Sequence, residues 1–476
     1  MSSTTEREAR SGQILVLFAG GLVLILLIAA LVFDVGQNLL DRRTEQNVAD
    51  ASALAGARQL PAAYTFHGGC ASAPSSMPAV TTACAVAAAS GYQDGVGNRT
   101  VRVDIPPVAP SVRAGLPGHV EVTIGATRGS FFQGVVGVTV QRTGAMGVAT
   151  NGTDIPLPYS LLALDPTGCA QNKINGSPGT AVTTNGTVHI DSNCSSSALL
   201  LSGNGVLTAP QCDVVGAIQT SGGAVNGCAS APTGVLVYGD PLRNLPAPAK
   251  PGLPAAVQAL DGGAIPSGCP GSSSPATEAA PAKCSFAVKD KRFRIFPGLY
   301  PGGIDVTRST VFMDPGIYWI GGGGIDIKST GGGLGQLVSK APGDSTGITP
   351  TGGVLIYNSQ LPNSAYGSIH LNSGDGSTLA LKPMQTGLYK NMVIFVDRAH
   401  ATGTGDIDLN GGGSTLVISG TIYAPTANVK LNGSDSDAIG TQLICFNFQV
   451  NGSGSAFTLD YKPEDLFHLK GVGLVE

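Results

Sequence analysis

The chain has 476 residues, more than one compact core usually serves, so two or three modules are expected. Its formal net charge of −4 and pI near 5.9 leave no basic stripe to neutralise phosphates, which excludes nucleic acid as a partner. Charged residues make up only 12%, and the 68 glycines are about twice the average usage, a composition of turns and short strands. The six His and single Trp are scattered, and no metal or cofactor motif is present.

In chain order the first predicted element is a helix. Residues 14–33, "ILVLFAGGLVLILLIAALVF", are uncharged and mostly apolar, and as a helix they rise ~30 Å, the thickness of a bilayer core. They read as a transmembrane span after a cytoplasmic amino terminus over residues 1–13. A cleaved signal peptide would have a shorter apolar region and an Ala-x-Ala site directly after it, where this chain has "DVGQNLLDRR". Residues 34–60 contain no Pro and are rich in Ala, Leu, Gln, Glu and Arg, so the helix is expected to continue beyond the membrane. Arg7 and Arg10 before the span balance Arg42 and Arg43 after it, which leaves orientation open. The cysteines are more informative. Eight of nine fall in neighbouring couples, Cys70 with Cys84, Cys169 with Cys194, Cys212 with Cys228 and Cys269 with Cys284, and read as disulfides, of whose roughly 105 pairings the neighbouring one costs the least loop entropy while sequence leaves the connectivity open. That places everything after the span outside the cytoplasm, with Cys445 as a buried apolar thiol.

A Gly-Gln pair entering an apolar span, an Asp as it ends, and then "RRTEQNVADASALAGA" resemble the amino-terminal segment of the TadE/TadG-like family of tight-adherence (Flp-type) pilus-assembly proteins. The matching positions are Asp34, Gln46, Asn47, Ala49, Asp50, Ala51, Leu54 and Ala55. The resemblance implies a membrane-anchored accessory or surface component of a pilus-assembly or secretion machine, with the membrane and other assembly proteins as partners. Two family traits do not carry over. The D-x-S-x-S metal motif of some members has its nearest string at Asp191–Ser195, which lacks the middle Ser, and the prepilin-peptidase pattern fails because Leu17 stands where Glu is required. Ala49, Ala53 and Ala57 recur every four residues as a smooth stripe, read as a docking face for a partner helix.

Residues 85–150 are expected to form a small α+β module. A short helix, "AVAAASGYQDG", precedes "TVRVDIP" and "HVEVTIGAT", which alternate as half-buried strands do; the apolar "SFFQGVVGV" then leads to a last strand, "TVQRTGAMGVAT".

From 159 to 476 the pattern is a repeat. "PGLYPGGIDV" is echoed by "PGIYWIGGGGIDI", and the triplets of "IDLNG", "VKLNG" and "FQVNG" recur at about 20 residues, the signature of a right-handed parallel β-helix, or β-solenoid. Alternation points Ile304, Val306, Ile325, Ile327, Ile407, Leu409, Val429 and Leu431 inward, and Asp305, Asp326, Asp408 and Lys430 outward. Residues 240–290, rich in Pro, Ala and Ser, read as an insertion, and the rest suffices for on the order of 13 coils.

A solenoid enzyme acting on polysaccharide would need two or three carboxylates converging on one groove. The outward aspartates read instead as a solvated face, and Asp397, Arg398 and His400 as a loop braced by an Asp–Arg contact. The expectation is a protein that is not an enzyme, whose solenoid presents a rigid polar wall to a partner or surface glycan. The alternative is a membrane-anchored carbohydrate-active enzyme.

Overall fold

The computed structural model describes residues 6–60, 65–130, 137, 139–228, 234–371, 376–401, 407–410, 415–433, 436–439, 442–452 and 456–475. The chain divides into two units, Met1–Ile155 with Leu469–Glu476, and Pro156–His468.

The first unit is built on one helix, α1 (Glu6–Arg58). Against its carboxy-terminal half pack a second helix, α2 (Pro78–Ala89), and a sheet of β1 (Phe66–Gly69), β2 (Arg99–Ile105), β3 (His119–Gly129), β4 (Val140–Pro156) and the strand His468–Leu474, in that order. The pairs β1/β2, β2/β3 and β3/β4 are antiparallel. Alternation in β2 and β3 puts Val101, Val103, Ile105, Val120, Val122 and Ile124 on one face, all buried. That face closes on Ala79, Val80, Ala83 and Ala87 of α2 and on Ala49, Ala53 and Ala57 of α1. Small residues let the two helices approach closely: a Cβ on Gly56 would lie 3.0 Å from Ala79 O and 3.1 Å from the Ala83 Cβ. The Cys70–Cys84 disulfide ties α2 to the end of β1. The apolar segment expected at 130–138 lies largely outside the described residues.

The second unit is a large sheet-rich body held by three parallel ladders. One runs, in spatial order, through Lys291–Ile295, Ser309–Met313, Gln336–Ser339, Thr378–Pro383, Thr415–Ile418, Ser436–Ile439, Ala456–Leu459, Ala181–Thr184, Val206–Thr208 and Ala224–Asn226. At ~4.8 Å per step these ten strands span about 43 Å. On the order of 13 coils were expected, and this ladder has the ten strands named. Loops such as the stretch between Ser339 and Gly353 consume residues that the average spacing assigned to strands. The order is also not that of the chain, because Tyr159–Ala163 and Asn172–Gly176 pair with Gln442–Gly452, so the first strands of the unit continue the stack beyond its last.

The repeated phrases mark recurring corners. In each Pro-Gly-x-Tyr string the tyrosine turns inward and its hydroxyl donates to the carbonyl four residues back, Tyr300 to Phe296 at 2.9 Å and Tyr318 to Asp314 at 2.9 Å, with the two rings stacked at 5.9 Å. The Asn-Gly endings form a column: Asn432, Asn451, Asn175 and Ser202 are in register, joined by side-chain hydrogen bonds of 3.3 Å (Asn451 to Asn432) and 2.9 Å (Ser202 to Asn175). Glycine follows because layers meet backbone to backbone there; a Cβ on Gly176 would lie 2.4 Å from Gly452 O, and Gly203, at φ +63°, is equally close to Gly176.

The permuted order leaves the chain at the wrong end of the stack, and the Pro/Ala/Ser-rich segment makes the return. Residues 238–252 cross the layers in turn. The Tyr238 and Gly239 amides donate to Asp191 at 2.7 and 2.9 Å, the Tyr423 hydroxyl to Asp240 at 2.7 Å, and Arg398 to the Leu242 and Leu245 carbonyls. The Tyr389 hydroxyl donates to Pro246 O at 2.9 Å, Trp319 Nε1 to Pro248 O at 3.3 Å, and the Leu299 amide to Gly252 O at 2.9 Å. Beneath this strap lies a column of outward but buried side chains, Trp319, Tyr357, Phe395 and Tyr423, with ring centroids 4.9–5.6 Å apart. Proline suits the strap because a segment lying across strands, here with one turn at 241–244, has no ladder to donate to. The turn that follows caps the first layer through Gln258–Ala259, antiparallel to Phe293–Arg294, and through the Cys269–Cys284 disulfide. Cys169–Cys194 and Cys212–Cys228 are also formed, and Cys445 is free and buried.

Two substitutions test the faces. Ile325 is fully buried, whereas Asp326 beside it is a third exposed. Ile325→Asp is expected to cost about 4 kcal/mol or more by burying an unpaired charge, and Asp326→Ala about 1 kcal/mol or less; equal urea midpoints would refute the register. Arg398→Ala strips two strap carbonyls of their donor and is expected to cost about 2–4 kcal/mol. Fluorescence of Trp319, the one tryptophan of the chain, should report the strap's release in that variant at lower urea than in the parent.

Candidate functional site

Two regions gather the residues that the sequence singled out. The first is the junction of α1 with the sheet beside it. Asp34, buried, accepts from the Ser130 hydroxyl at 3.0 Å, and Asp41 pairs with Arg128 at 3.0 Å. Gln46 Nε2 donates to Met146 O at 2.8 Å and to Asp50 Oδ1 at 2.7 Å. Glu45 is buried, accepts from the Thr143 hydroxyl at 2.5 Å, and is held above the ordinary carboxylate range by desolvation. β4 passes so close that a Cβ on Gly147 would lie 2.8 Å from the backbone of Ala49. Asp34, Gln46, Ala49 and Asp50 therefore bind the helix to its own sheet.

The alanine stripe belongs to the same junction. Ala49, Ala53 and Ala57 are fully buried against α2 and the sheet, so the helix they admit is the chain's own, and the reading of the stripe as a docking face for another chain is corrected. The four-residue spacing was legible in the sequence; what covers it was not. Asn47 and Ala51 are exposed, and Leu54 and Ala55 half-buried.

The second region is a row of outward side chains along one ladder of the sheet body. Ser285, Asp305, Asp326, His370, Asp408, Lys430, Gln449 and Lys173 occupy equivalent positions in successive layers. Asp305 accepts from the Ser285 hydroxyl at 3.0 Å and the Thr307 hydroxyl at 2.8 Å. Asp326 pairs with Lys283 and with His370 Nδ1 at 3.6 Å, and His370 Nε2 stands 4.0 Å from Asp408. Pairing with His370, then with Lys283, holds Asp326 down at about 2 against the opposing effect of burial. Pairing with Asp326 raises His370 above the usual imidazole range. No group of three or more His, Cys, Asp or Glu among the described residues is arranged to hold a metal ion.

Sequence reasoning placed the aspartates and Lys430 on this face and missed His370. Its signal was present, since "IHL" repeats the apolar-x-apolar triplet of "IDI" and "IDL" with His at the outward position. The expected Asp397–Arg398 brace is corrected. Asp397 accepts from the Ser359 hydroxyl at 2.6 Å and from the Ala399 amide at 2.9 Å, while Arg398 reaches over the rings of Phe395 and Tyr423 to the strap. Asp191, weighed as part of a metal motif, accepts the two strap amides and pairs with His189 at 3.0 Å.

The row makes stability depend on pH with a definite sign. Asp326 is depressed, so its contribution is present above about pH 4 and lost as pH falls through about 2. His370 is raised, so its contribution is present below about pH 6.5 and lost as pH rises through its folded value. Both groups are about a third exposed, which limits the effect to about 1 kcal/mol or less. In His370→Asn the loss of urea resistance between about pH 6 and 8 should be smaller than in the parent; an unchanged slope would show that the row does not couple the layers.

No curated protein and no solved structure matches the chain. Residues 12–59, which comprise most of α1 with its apolar segment and its sheet-bound stripe, match the family model described as putative Flp pilus-assembly TadE/G-like.

Proposed function

We propose that this protein is a single-pass, membrane-anchored component of a tight-adherence pilus assembly or secretion machine, and that its second unit is a parallel β-solenoid displayed outside the cytoplasm to contact a partner or a surface glycan. The observation that carries the reading is the family match at residues 12–59, on a helix whose first half is long and apolar enough to cross a membrane. The solenoid reading is supported by three parallel ladders in which each layer repeats about one phrase after the last, with the same corner residues and the same outward row. The extracytoplasmic orientation is supported by four disulfides, since such bonds persist in oxidising compartments.

The role is mechanical: the helix anchors and the body presents. The outward row is graded, with Asp305, Asp326 and Asp408 toward one end and Lys430 and Lys173 toward the other. An extended charged partner would meet it in one direction only.

Purification from membranes in mild detergent should bring down a secretion ATPase and small pilins, and denatured, unreduced protein from the same preparation should offer thiol reagents only Cys445. Recovery of the protein alone would remove the assembly role, and reactive thiols at the paired positions would reverse the topology.

A further inference from the structure

The two faces of α1 change from apolar to polar at different levels. On the face turned away from the sheet, Leu31, Val32, Val35, Leu39 and Leu40 are all exposed, and polar residues begin only at Arg42 and Arg43. On the face turned toward the sheet, polar residues begin at Asp34, eight residues and ~12 Å earlier. Those early polar groups are not left to the surroundings, because Asp34 accepts from Ser130 and Asp41 pairs with Arg128, both at the end of the β3–β4 hairpin.

The hairpin's direction is fixed by its contacts. β3 passes Gly56 at Val120, Asp41 at Arg128 and Asp34 at Ser130, so it runs against α1 toward the apolar segment. Val140, which pairs with Gly129 at this end, is 52% exposed, and Leu39 on the helix is 57% exposed.

We infer that Gly129, Ser130 and Val140 of the β3–β4 pair lie in the interfacial layer of the lipid bilayer, at the level between Asp34 and Leu40, so that the membrane boundary stands between Leu40 and Arg42 and not at Asp34. A carboxylate at the depth of Asp34 would be costly against lipid, and the hairpin removes the cost by supplying the Ser130 hydroxyl and covering that face. The apolar side chains of the opposite face then meet acyl chains, and Arg42 and Arg43 meet headgroup phosphates. The partner of this surface is the bilayer itself, in continuity with the apolar segment.

The inference rests on the membrane-anchored reading, and the experiment separates the two. Single-cysteine variants of the full chain, Leu24→Cys, Leu39→Cys, Asn47→Cys and Val140→Cys, are labelled with a polarity-sensitive maleimide fluorophore; the native disulfides and buried Cys445 do not react. In vesicles of phosphatidylcholine and phosphatidylglycerol, probes at Leu39 and Val140 should emit at shorter wavelength than the one at Asn47. They should also be quenched most by lipids spin-labelled near the headgroup, and the Leu24 probe by lipids labelled near the acyl end. If Leu24 is quenched while Val140 or Leu39 is as unquenched as Asn47, the hairpin stands clear of the membrane and the inference is overturned. If Leu24 is unquenched as well, the anchored reading falls with it.

Discussion

The pairing of Gln442–Gly452 with Tyr159–Ala163 and Asn172–Gly176 is the constraint on which the sheet body depends. A single layer of this kind cannot bury its apolar face or satisfy its backbone alone, so each is stable only between neighbours. By stacking its first strands beyond its last, the unit joins its most distant sequence segments in the middle of the stack instead of leaving them at the ends. The cost is topological, because the chain finishes that section at the far end and has to return along the outside. The return segment of about 14 residues, at ~3.1 Å each when extended, can cover the ~34 Å between the layers it touches first and last. It then fastens to nearly every layer it passes, through side chains that the layers supply.

That fastening explains the aromatic column. Outward positions on a strand would ordinarily be polar, yet Trp319, Tyr357, Phe395 and Tyr423 occupy them in four successive layers. Under the strap they are buried, and the hydroxyl or ring N–H at the tips of Trp319 and Tyr423 meets a strap oxygen. Arg398 is held over two of the rings and bonds two strap carbonyls, so one side chain joins layer, column and strap. A stack of near-identical layers could otherwise lose them one at a time; a strap bound across it makes opening at either end cost contacts along its length.

Much of the first unit was legible because period and composition are local properties: the apolar run, the alternation of β2 and β3 and the alanine spacing all survive in a short window. What covers the alanines was not, since a small-residue stripe fits any close helix, and α2 lies 20 residues further along the chain. In the sheet body the interval of about 20 was visible where corners are tight, at 295–327 and 407–452, and faded between Lys328 and Met392, where loops separate the strands. The permuted stacking was invisible in principle. Every layer offers a similar inward triplet to its neighbour, so "KING" and "QVNG" carry no mark that they adjoin across 276 residues, from Lys173 to Gln449. The strap was seen only as what it lacks, alternation, and composition does not say what a proline-rich segment lies upon.

The low charge content follows from this architecture. The inner faces are apolar, one outward column is covered by the strap, and the corners are filled by Asn-Gly and Pro-Gly, which leaves few positions where a charge is free of cost. The charges that remain in the row are set one layer apart, at about 4.8 Å, where like neighbours repel. Asp305 and Asp326 are adjacent aspartates, and each is compensated by other groups, Asp305 by Ser285 in the row and Thr307 outside it and Asp326 by Lys283 outside it. His370 separates Asp326 from Asp408, and Lys430 follows Asp408. A surface kept only for solubility would need no such sequence of partners, since scattered charges serve as well. Ordering them in register costs side-chain entropy at every layer, and what it provides is a line of charges graded from acidic to basic whose spacing is set by the backbone.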